Sequence, residues 1–442
     1  MRGKRAVSVL LGASLCVLSF ATLAAAATDK RGSGMHAPRL NLQQIVARQK
    51  FFGIENVDAA TGAVKSDRII FSWATNTTYV VSVLGRIVMM DSYVTRLEVE
   101  PGRTNFVIQD LVDVKPEALF IGHGHFDHAD NAAYIAKWTN ATIYASPEAC
   151  DQFQADVLRM YNDPNEINGG KKIVANADPV HCVPVVSRGS TPAAEVAKLT
   201  FLEPYACVLA FKHMHSASVP YDPTYPQVVP NVTQDVRDAQ MYPAGQPLTP
   251  PTNVANRVPG QIDLRTSTAG SLSVGGPIAI MFQVVLKRPS DNHFTFAWHN
   301  STGAVKEGVA PDGNWGPEVG ASVFDLFEAL PKTDLEIGSV STAGLQTNAL
   351  RDAIMYHDHL RPLVFMPGHM TTGTNGVGQS SSPELYWTYK QSKAAFGWAP
   401  DQGPEVRWLV DPIDYLRPFV YTPSDARWND PSKVSRVAKW CQ

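Results

Sequence analysis

The sequence lacks the motifs of several large enzyme classes. Its 442 residues contain no G-x-S-x-G nucleophile elbow, no H-E-x-x-H helix and no glycine-rich phosphate loop, which argues against α/β serine hydrolases, zincin proteases and P-loop enzymes. Charge is also sparse: 38 basic and 41 acidic residues leave a net charge of −3. A chain without a basic excess predicts no nucleic-acid partner.

Cysteine is scarce, and one of the five, Cys16, lies in an apolar run near the N-terminus. Three basic residues precede this run, which starts at Ala6 and ends in Leu23-Ala24-Ala25-Ala26-Ala27. That order is typical of a secretory signal peptide, here residues 1–27, and its removal changes the net charge from −3 to −6. An uncleaved anchor helix is the alternative, because the run is nearly long enough to span a bilayer. We expect an exported protein, periplasmic or secreted, with no membrane contact after the signal is removed.

The four remaining cysteines are Cys150, Cys182, Cys207 and Cys441. Outside the cell they could form two disulfides, for which three pairings exist. Their spacing matches no C-x-x-C clip, so a structural role is favoured over zinc ligation.

About 415 residues remain after the signal, and we predict a single domain over 28–442. From Val219 to about Pro259 the chain is rich in proline, asparagine, glutamine and tyrosine, which predicts a loop insertion near 217–270. A loop of this length is often a functional lid. An ordered surface excursion with no substrate role is the alternative.

Six residues, His123-Gly124-His125-Phe126-Asp127-His128, contain three imidazoles and a carboxylate. The hydrophobic run Ala118-Leu119-Phe120-Ile121 before them predicts a buried strand, and the helical spacing from Ala129 to Trp138 predicts a helix after them. The segment is therefore expected at a strand-to-helix turn.

The spacing inside this segment favours a metal site over a solvated histidine loop. Side chains two apart on an extended chain point the same way, so His123 and His125 can hold one ion. Asp127 and His128 then face a second ion or a water on the first.

Further strands are predicted at 206–211, 333–337 and 363–369, and a hairpin over 278–298 is expected at a sheet edge. Helices are predicted from Val323 to Leu330 and from about Asn348 to His357. His357 and His359 lie near the end of the latter, where surface or capping roles are usual.

The motif resembles the metal-binding segment of the metallo-β-lactamase superfamily. The hairpin from Thr78 to Asp91 and the strand from Thr139 to Pro147 are similar to the family's elements on either side, and similar features run from about 68 to 372. The ending Pro367-Gly368-His369 resembles that of the family's lactonase-like branches. The resemblance implies an α/β fold, a four-layer αβ/βα sandwich with metals at one edge, where strand ends converge.

The resemblance also implies the ligands. The first ion would take His123, His125 and His215, with His213 as the alternative third ligand, and the second would take Asp127, His128 and His369. Family members with two ions usually place a bridging aspartate after the hairpin strand, but residues 297–303 contain no carboxylate. His299 or Asn300 stands there instead, so the second ion is expected to be weakly held, absent or bridged by solvent alone.

These features predict an exported hydrolase with one or two zinc ions, in which metal-activated water is oriented by Asp127. An ester or lactone of small size is the expected substrate. A phosphodiester or β-lactam is the alternative, as is a catalytically impaired metal- or partner-binding protein of the same fold. A diiron redox site is disfavoured because few carboxylates are present. The oligomeric state stays open.

Overall fold

The computed structural model describes residues 40–93, 104, 106–162, 173–225, 227–228, 275–340, 342–370, 382–409 and 412–442. The predicted signal peptide and most of the predicted insertion lie outside these residues.

Strands and helices are numbered here in chain order. The strands are β1 Ile69–Thr75, β2 Thr78–Val83, β3 Arg86–Met90, β4 Ala118–Phe120, β5 Thr142–Ala145, β6 Cys182–Pro184, β7 Val196–Leu199, β8 Ala206–Lys212, β9 Ile280–Leu286, β10 Thr295–Trp298, β11 Val309–Ala310, β12 Gly313–Asn314, β13 Leu335–Ser339, β14 Val364–Gly368, β15 Glu405–Val406 and β16 Pro418–Tyr421. The helices are α1 Leu42–Phe52, α2 Ile108–Asp113, α3 Phe126–Ala129, α4 Ala132–Thr139, α5 Pro147–Asn162, α6 Pro317–Ala329, α7 Leu345–Asn348, α8 Arg351–Leu360, α9 Ser382–Ala395 and α10 Ser432–Cys441.

The strands form two seven-stranded mixed sheets and one short hairpin. Sheet 1 has the order β16-β1-β2-β3-β4-β5-β6, and its last four strands are parallel. Sheet 2 has the order β15-β14-β13-β10-β9-β8-β7, and its first four strands are parallel. The hairpin pairs β11 with β12.

Strand β1 shows how the sequence builds these layers. Ile69, Phe71 and Trp73 belong to the core between the sheets, whereas Ile70 and Ala74 belong to the core on the outer face of sheet 1. Because successive side chains point to opposite faces, a strand buried on both faces reads as a continuous apolar run.

Three hydrophobic cores separate four layers. Aromatic rings from both sheets meet in the middle core, where the centroids of Phe71 and Phe296 are 5.1 Å apart. Helices α1, α2, α4 and α5 cover sheet 1, and helices α6, α8 and α10 cover sheet 2. The predicted αβ/βα sandwich is confirmed.

One predicted position is wrong. The hairpin of β9 and β10 was expected at a sheet edge, but β9 lies between β8 and β10, and β10 lies between β9 and β13. The reason is visible in the burial, since every residue of both strands is buried.

Two disulfides join helices to the sheets they cover. Cys150 on α5 is bonded to Cys182 on β6, and Cys207 on β8 is bonded to Cys441 on α10. The structure thus selects one of the three possible pairings. No helix among the described residues has the length and apolar character to cross a bilayer.

Candidate metal centre

The predicted site residues lie just after the ends of strands from both sheets. Parallel strands end at the same side of a sheet, so residues that follow them are brought together. Asp91 follows β3, the histidine motif follows β4, His215 follows β8, Asn300 follows β10 and His369 follows β14.

The motif turns sharply between β4 and α3, and its glycines permit close packing there. A Cβ on Gly122 would lie 2.3 Å from the side-chain Cγ of Asn300, and a Cβ on Gly124 would lie 2.4 Å from the carbonyl carbon of Gly275. The turn can therefore pass this close to its neighbours only because both positions lack a side chain.

The first group of potential ligands consists of His123, His125 and His215. One ring nitrogen of each lies within 4.8 Å of the others, and the ring centroids are 4.5 to 4.8 Å apart. Nδ1 of His123 faces Asn300 Oδ1 at 2.7 Å, and Nδ1 of His215 faces the Ser216 carbonyl oxygen at 2.8 Å. For both rings, the nitrogen left for a metal is Nε2.

His213 does not join this group. Its ring is fully buried, and its Nδ1 lies 2.9 Å from the hydroxyl of Tyr356. Of the two histidines that the sequence left open at the end of β8, the structure brings His215 to the motif.

The second group is centred on Asp127. Its Oδ2 lies 3.4 Å from Nε2 of His128 and 3.3 Å from Nε2 of His369, and His123, Asp127 and His128 also form a group of donors within 4.8 Å. Donors on a tetrahedral zinc ion at ~2.0 to 2.1 Å are separated by ~3.3 to 3.4 Å. The spacing around Asp127 therefore suits a second ion.

Two buried nitrogens support a metal-binding role. Nε2 of His123 and Nε2 of His128 have no hydrogen-bond partner, although both rings are almost completely buried. Buried polar atoms are normally paired, and a metal ion would satisfy both. The donor set of imidazoles and one carboxylate fits zinc.

Burial sets the charge of the first group. It lowers the pKa of His125 to about 4 and that of His215 to about 3, and it places the pKa of His123 well below its usual value. These rings are therefore neutral near pH 7, which is the form that binds a metal.

In the second group, neighbouring charges outweigh burial in setting the pKa values. Burial alone would lower the pKa of His128, but the carboxylates of Asp127 and Asp91 outweigh it and raise that pKa. Burial alone would raise the pKa of Asp127, but His128 and His369 outweigh it and lower that pKa. Asp127 is thus held as a carboxylate beside these rings.

Asp91 and Asn300 link the two groups from behind. Asp91 accepts hydrogen bonds from the Gly122 amide at 3.1 Å and from Asn300 Nδ2 at 2.9 and 3.0 Å, and its Oδ2 lies 2.7 Å from Nδ1 of His128. The other end of the Asn300 amide holds His123. Asn300 thus stands where the resemblance implies a bridging aspartate. Its side chain orients ligands instead of bridging ions.

Proteins similar to this chain are found among solved structures. No protein-family model matches the chain, and no curated protein matches it. Among solved structures it is similar to Igni18, a metallo hydrolase from Ignicoccus hospitalis, with 13% identity, a TM-score of 0.41, and coverage of 80% of this chain and 98% of that one. An isothiocyanate hydrolase from Delia radicum gut bacteria gives 11% identity, a TM-score of 0.41, and coverage of 80% and 99%.

The diiron β-hydroxylase CmlA from Streptomyces venezuelae is also similar, with 10% identity and a TM-score of 0.37; the match covers 81% of this chain and 55% of that one. The chain is a four-layer αβ/βα sandwich with the histidine motif at its strand ends.

His299 faces away from the histidine motif. Its Nε2 lies 3.0 Å from Glu336 Oε1, and the other oxygen of Glu336 lies 2.9 Å from Nδ1 of His357. The expectation that His357 is a surface or capping residue is wrong, because this ring is buried against β13. His359, two residues further on, is partly exposed and pairs with Glu328.

Sequence reasoning did not assign roles to several residues around the centre. Asp91 was noted only as the end of a hairpin, and Thr77, whose hydroxyl donates to Asp91 at 2.6 Å, carries no sequence signal. Glu336 does carry a sequence signal. An acidic residue inside a predicted buried strand needs a partner, and that rule could have found its two histidines.

Proposed function

We propose that the protein is a zinc-dependent hydrolase that cleaves an ester or lactone with metal-activated water. The observation that carries the proposal is the convergence of the neutral rings of His123, His125 and His215 beside the group of Asp127, His128 and His369. A bound zinc ion lowers the pKa of water from ~15.7 toward ~7, which supplies hydroxide at neutral pH.

The residues of the chain then have distinct tasks. His123 and His128 are buried at the floor of the centre, whereas the side chains of Asp127 and His369 are 14% and 20% exposed. A substrate would approach from that exposed side. Asp127, kept ionised by its histidine neighbours, would orient the attacking water through its carboxylate.

The surroundings of the centre favour an uncharged substrate. Within the part of the chain that the structure describes, the hydrogen bonds and ring contacts given above bring histidine, aspartate, asparagine, threonine and serine to the site, and no lysine or arginine. Enzymes that bind phosphodiesters or carboxylate-bearing lactams commonly use such cations. An ester or lactone carbonyl needs none.

Zinc is favoured over iron by the donors, because five imidazoles accompany one carboxylate. Export to the periplasm or the medium is supported by the two disulfides, which persist in oxidising compartments. A small molecule is the proposed partner.

Metal analysis combined with a substrate panel tests the proposal. We expect one or two zinc ions per chain by elemental analysis, and turnover of lactones or nitrophenyl esters in preference to nitrophenyl phosphodiesters and nitrocefin. Chelation should abolish turnover, and added zinc should restore it. A metal-loaded protein that turns over none of these compounds contradicts the hydrolase, and a preference for phosphodiesters or nitrocefin contradicts the ester or lactone assignment.

The matched variants are His125→Ala and His359→Ala. The first variant removes a ring from the first ligand group. At a fixed zinc concentration it should reduce zinc content and turnover at least a hundredfold, because mutating a residue that only orients a metal ligand already lowers metal affinity or activity ten- to a hundredfold. The second removes a histidine that pairs with Glu328 elsewhere on the surface and should leave both unchanged.

A further inference from the structure

A buried loop of five residues, His299-Asn300-Ser301-Thr302-Gly303, joins the metal centre to the interior of sheet 2. All five residues are buried, and each is hydrogen-bonded to a different part of the fold. The loop is therefore a rigid connection between distant elements, and we call it the 299–303 loop.

Three contacts of this loop face the metal centre. Asn300 bonds to His123 and Asp91 as described above, and the hydroxyl of Ser301 accepts a hydrogen bond of 2.9 Å from the amide of Ser216, next to His215. Two of the three rings in the first ligand group thus depend on the position of this loop.

Contacts on the far side fix the loop. Thr302 donates to the Ser339 carbonyl oxygen at 2.6 Å, and the amide of Gly303 donates to the hydroxyl of Tyr356 at 3.2 Å. His299 contacts Glu336. Space is limited there, because a Cβ on Gly338 would lie 2.5 Å from the His299 ring.

The His299 ring lies between two acceptors. Its Nδ1 is 2.9 Å from the Ser301 carbonyl oxygen and its Nε2 is 3.0 Å from the Glu336 carboxylate. Glu336 is 1% exposed, so removing its carboxylate would leave Nε2 of His299 without its partner inside the protein.

We propose that Glu336 is a positioning residue for the metal centre, acting through His299 and the 299–303 loop on Asn300 and His123. This inference rests on the proposed zinc site, but not on the choice of an ester or lactone as substrate. Without the carboxylate, His299 loses one of its two hydrogen-bond partners. The 299–303 loop then loses one of its contacts with β13, and these contacts help to keep Asn300 in place beside His123.

The test compares zinc affinities of Glu336→Gln and wild type, measured by competition with a chromogenic chelator at neutral pH. The glutamine keeps the volume and removes the charge. We expect zinc affinity to fall about ten- to a hundredfold, as for other residues that orient metal ligands. An unchanged affinity overturns the proposal.

The matched control is Asp334→Asn. Asp334 is also a buried acidic residue beside β13, but it pairs with Lys433 at 2.6 Å and lies at the end of the strand away from the centre. We expect this variant to lose thermal stability and to keep its zinc affinity. Equal losses of affinity in both variants would show a general effect of destabilisation and would overturn the positioning role.

A double-mutant cycle tests the route. If Glu336 acts through His299, then His299→Gln alone and Glu336→Gln with His299→Gln should weaken zinc binding by the same factor. Additive losses would overturn the route.

A wild-type protein that binds zinc without hydrolysing any ester or lactone contradicts the proposed function alone. Unchanged zinc affinity in an active Glu336→Gln variant contradicts this inference alone.

Discussion

Asn300 is the residue that most distinguishes this centre. Its amide donates to both oxygens of Asp91 and accepts from His123, so one side chain satisfies a buried carboxylate and sets the orientation of a metal ligand. An aspartate at this position could not donate those two hydrogen bonds. A neutral amide at position 300 therefore suits the buried carboxylate of Asp91, because it can donate to both oxygens.

Asn300→Asp should destabilise the metal-free protein more than Asn300→Ala does. The alanine variant leaves Asp91 and His123 each short of a partner, which costs ~1 to 3 kcal/mol. The aspartate variant adds a second carboxylate against Asp91 and should cost ~3 to 5 kcal/mol, as for an uncompensated buried charge. Denaturant unfolding in the presence of a chelator measures both. An aspartate variant as stable as the alanine variant would contradict this account of the Asp91 contact.

His125 should make the metal-free protein less stable in mild acid. Its pKa is lowered from 6.5 to about 4 by burial, so between these values the unfolded chain binds a proton that the folded chain does not. The free energy of unfolding therefore falls as the pH decreases from ~6.5 to ~4. His125→Asn should flatten this decline in chelator-treated protein. His359→Asn is the control for losing a histidine, and an unchanged slope in the His125 variant would contradict the prediction.

At the scale of elements, the motif turn is packed against another backbone segment. The amide of Gly124 donates to the Gly276 carbonyl oxygen at 3.0 Å, and the Ile280 amide donates to the Gly122 carbonyl oxygen at 2.7 Å. These two bonds join the turn after β4 to the segment that leads into β9, and so they join the two sheets at the metal centre.

Gly124→Ala should separate these two segments. The new methyl group would lie 2.4 Å from backbone atoms of Gly275, which cannot move as a flexible side chain would. We expect a loss of ~1 to 3 kcal/mol in unfolding free energy, together with weaker zinc binding. Gly344→Ala is the control, because its nearest contact would be an ordinary 3.5 Å. Equal stability of the two variants would contradict the close approach.

At the scale of the whole molecule, the Cys207–Cys441 disulfide joins residues 234 positions apart. Strand β8, which leads to His215, is thereby bonded to the last helix. A cross-link over so long a loop restricts the unfolded chain strongly in the entropic account.

Replacing both Cys207 and Cys441 by alanine should lower the free energy of unfolding by ~2 to 5 kcal/mol. Thermal unfolding of the variant and the wild type under non-reducing conditions measures the difference. In a strong reductant the difference should shrink to the small cost of the substitutions themselves. A difference of equal size in reductant would show that packing around the sulfur atoms, and not the bond, is responsible.

The sequence by itself determined the local features of this protein. The apolar runs that became β4, β8 and β14, the strand-to-helix turn at the motif, and the side-by-side placement of His123 and His125 depend on periodicity over a few residues. The fold class followed from the same local motif and its resemblance to a family. Element ends differed by a few residues, as for α6, which begins at Pro317 and not at Val323.

Only the tertiary structure decided which distant residues meet. It selected His215 over His213, turned Asn300 toward the motif and His299 toward Glu336, paired the cysteines, and placed β9 and β10 inside sheet 2. These outcomes depend on strand order and on contacts between residues as much as 234 positions apart, such as Cys207 and Cys441. Local periodicity contains no information on such pairs, because it specifies the face of a strand and not the neighbour that the face will contact.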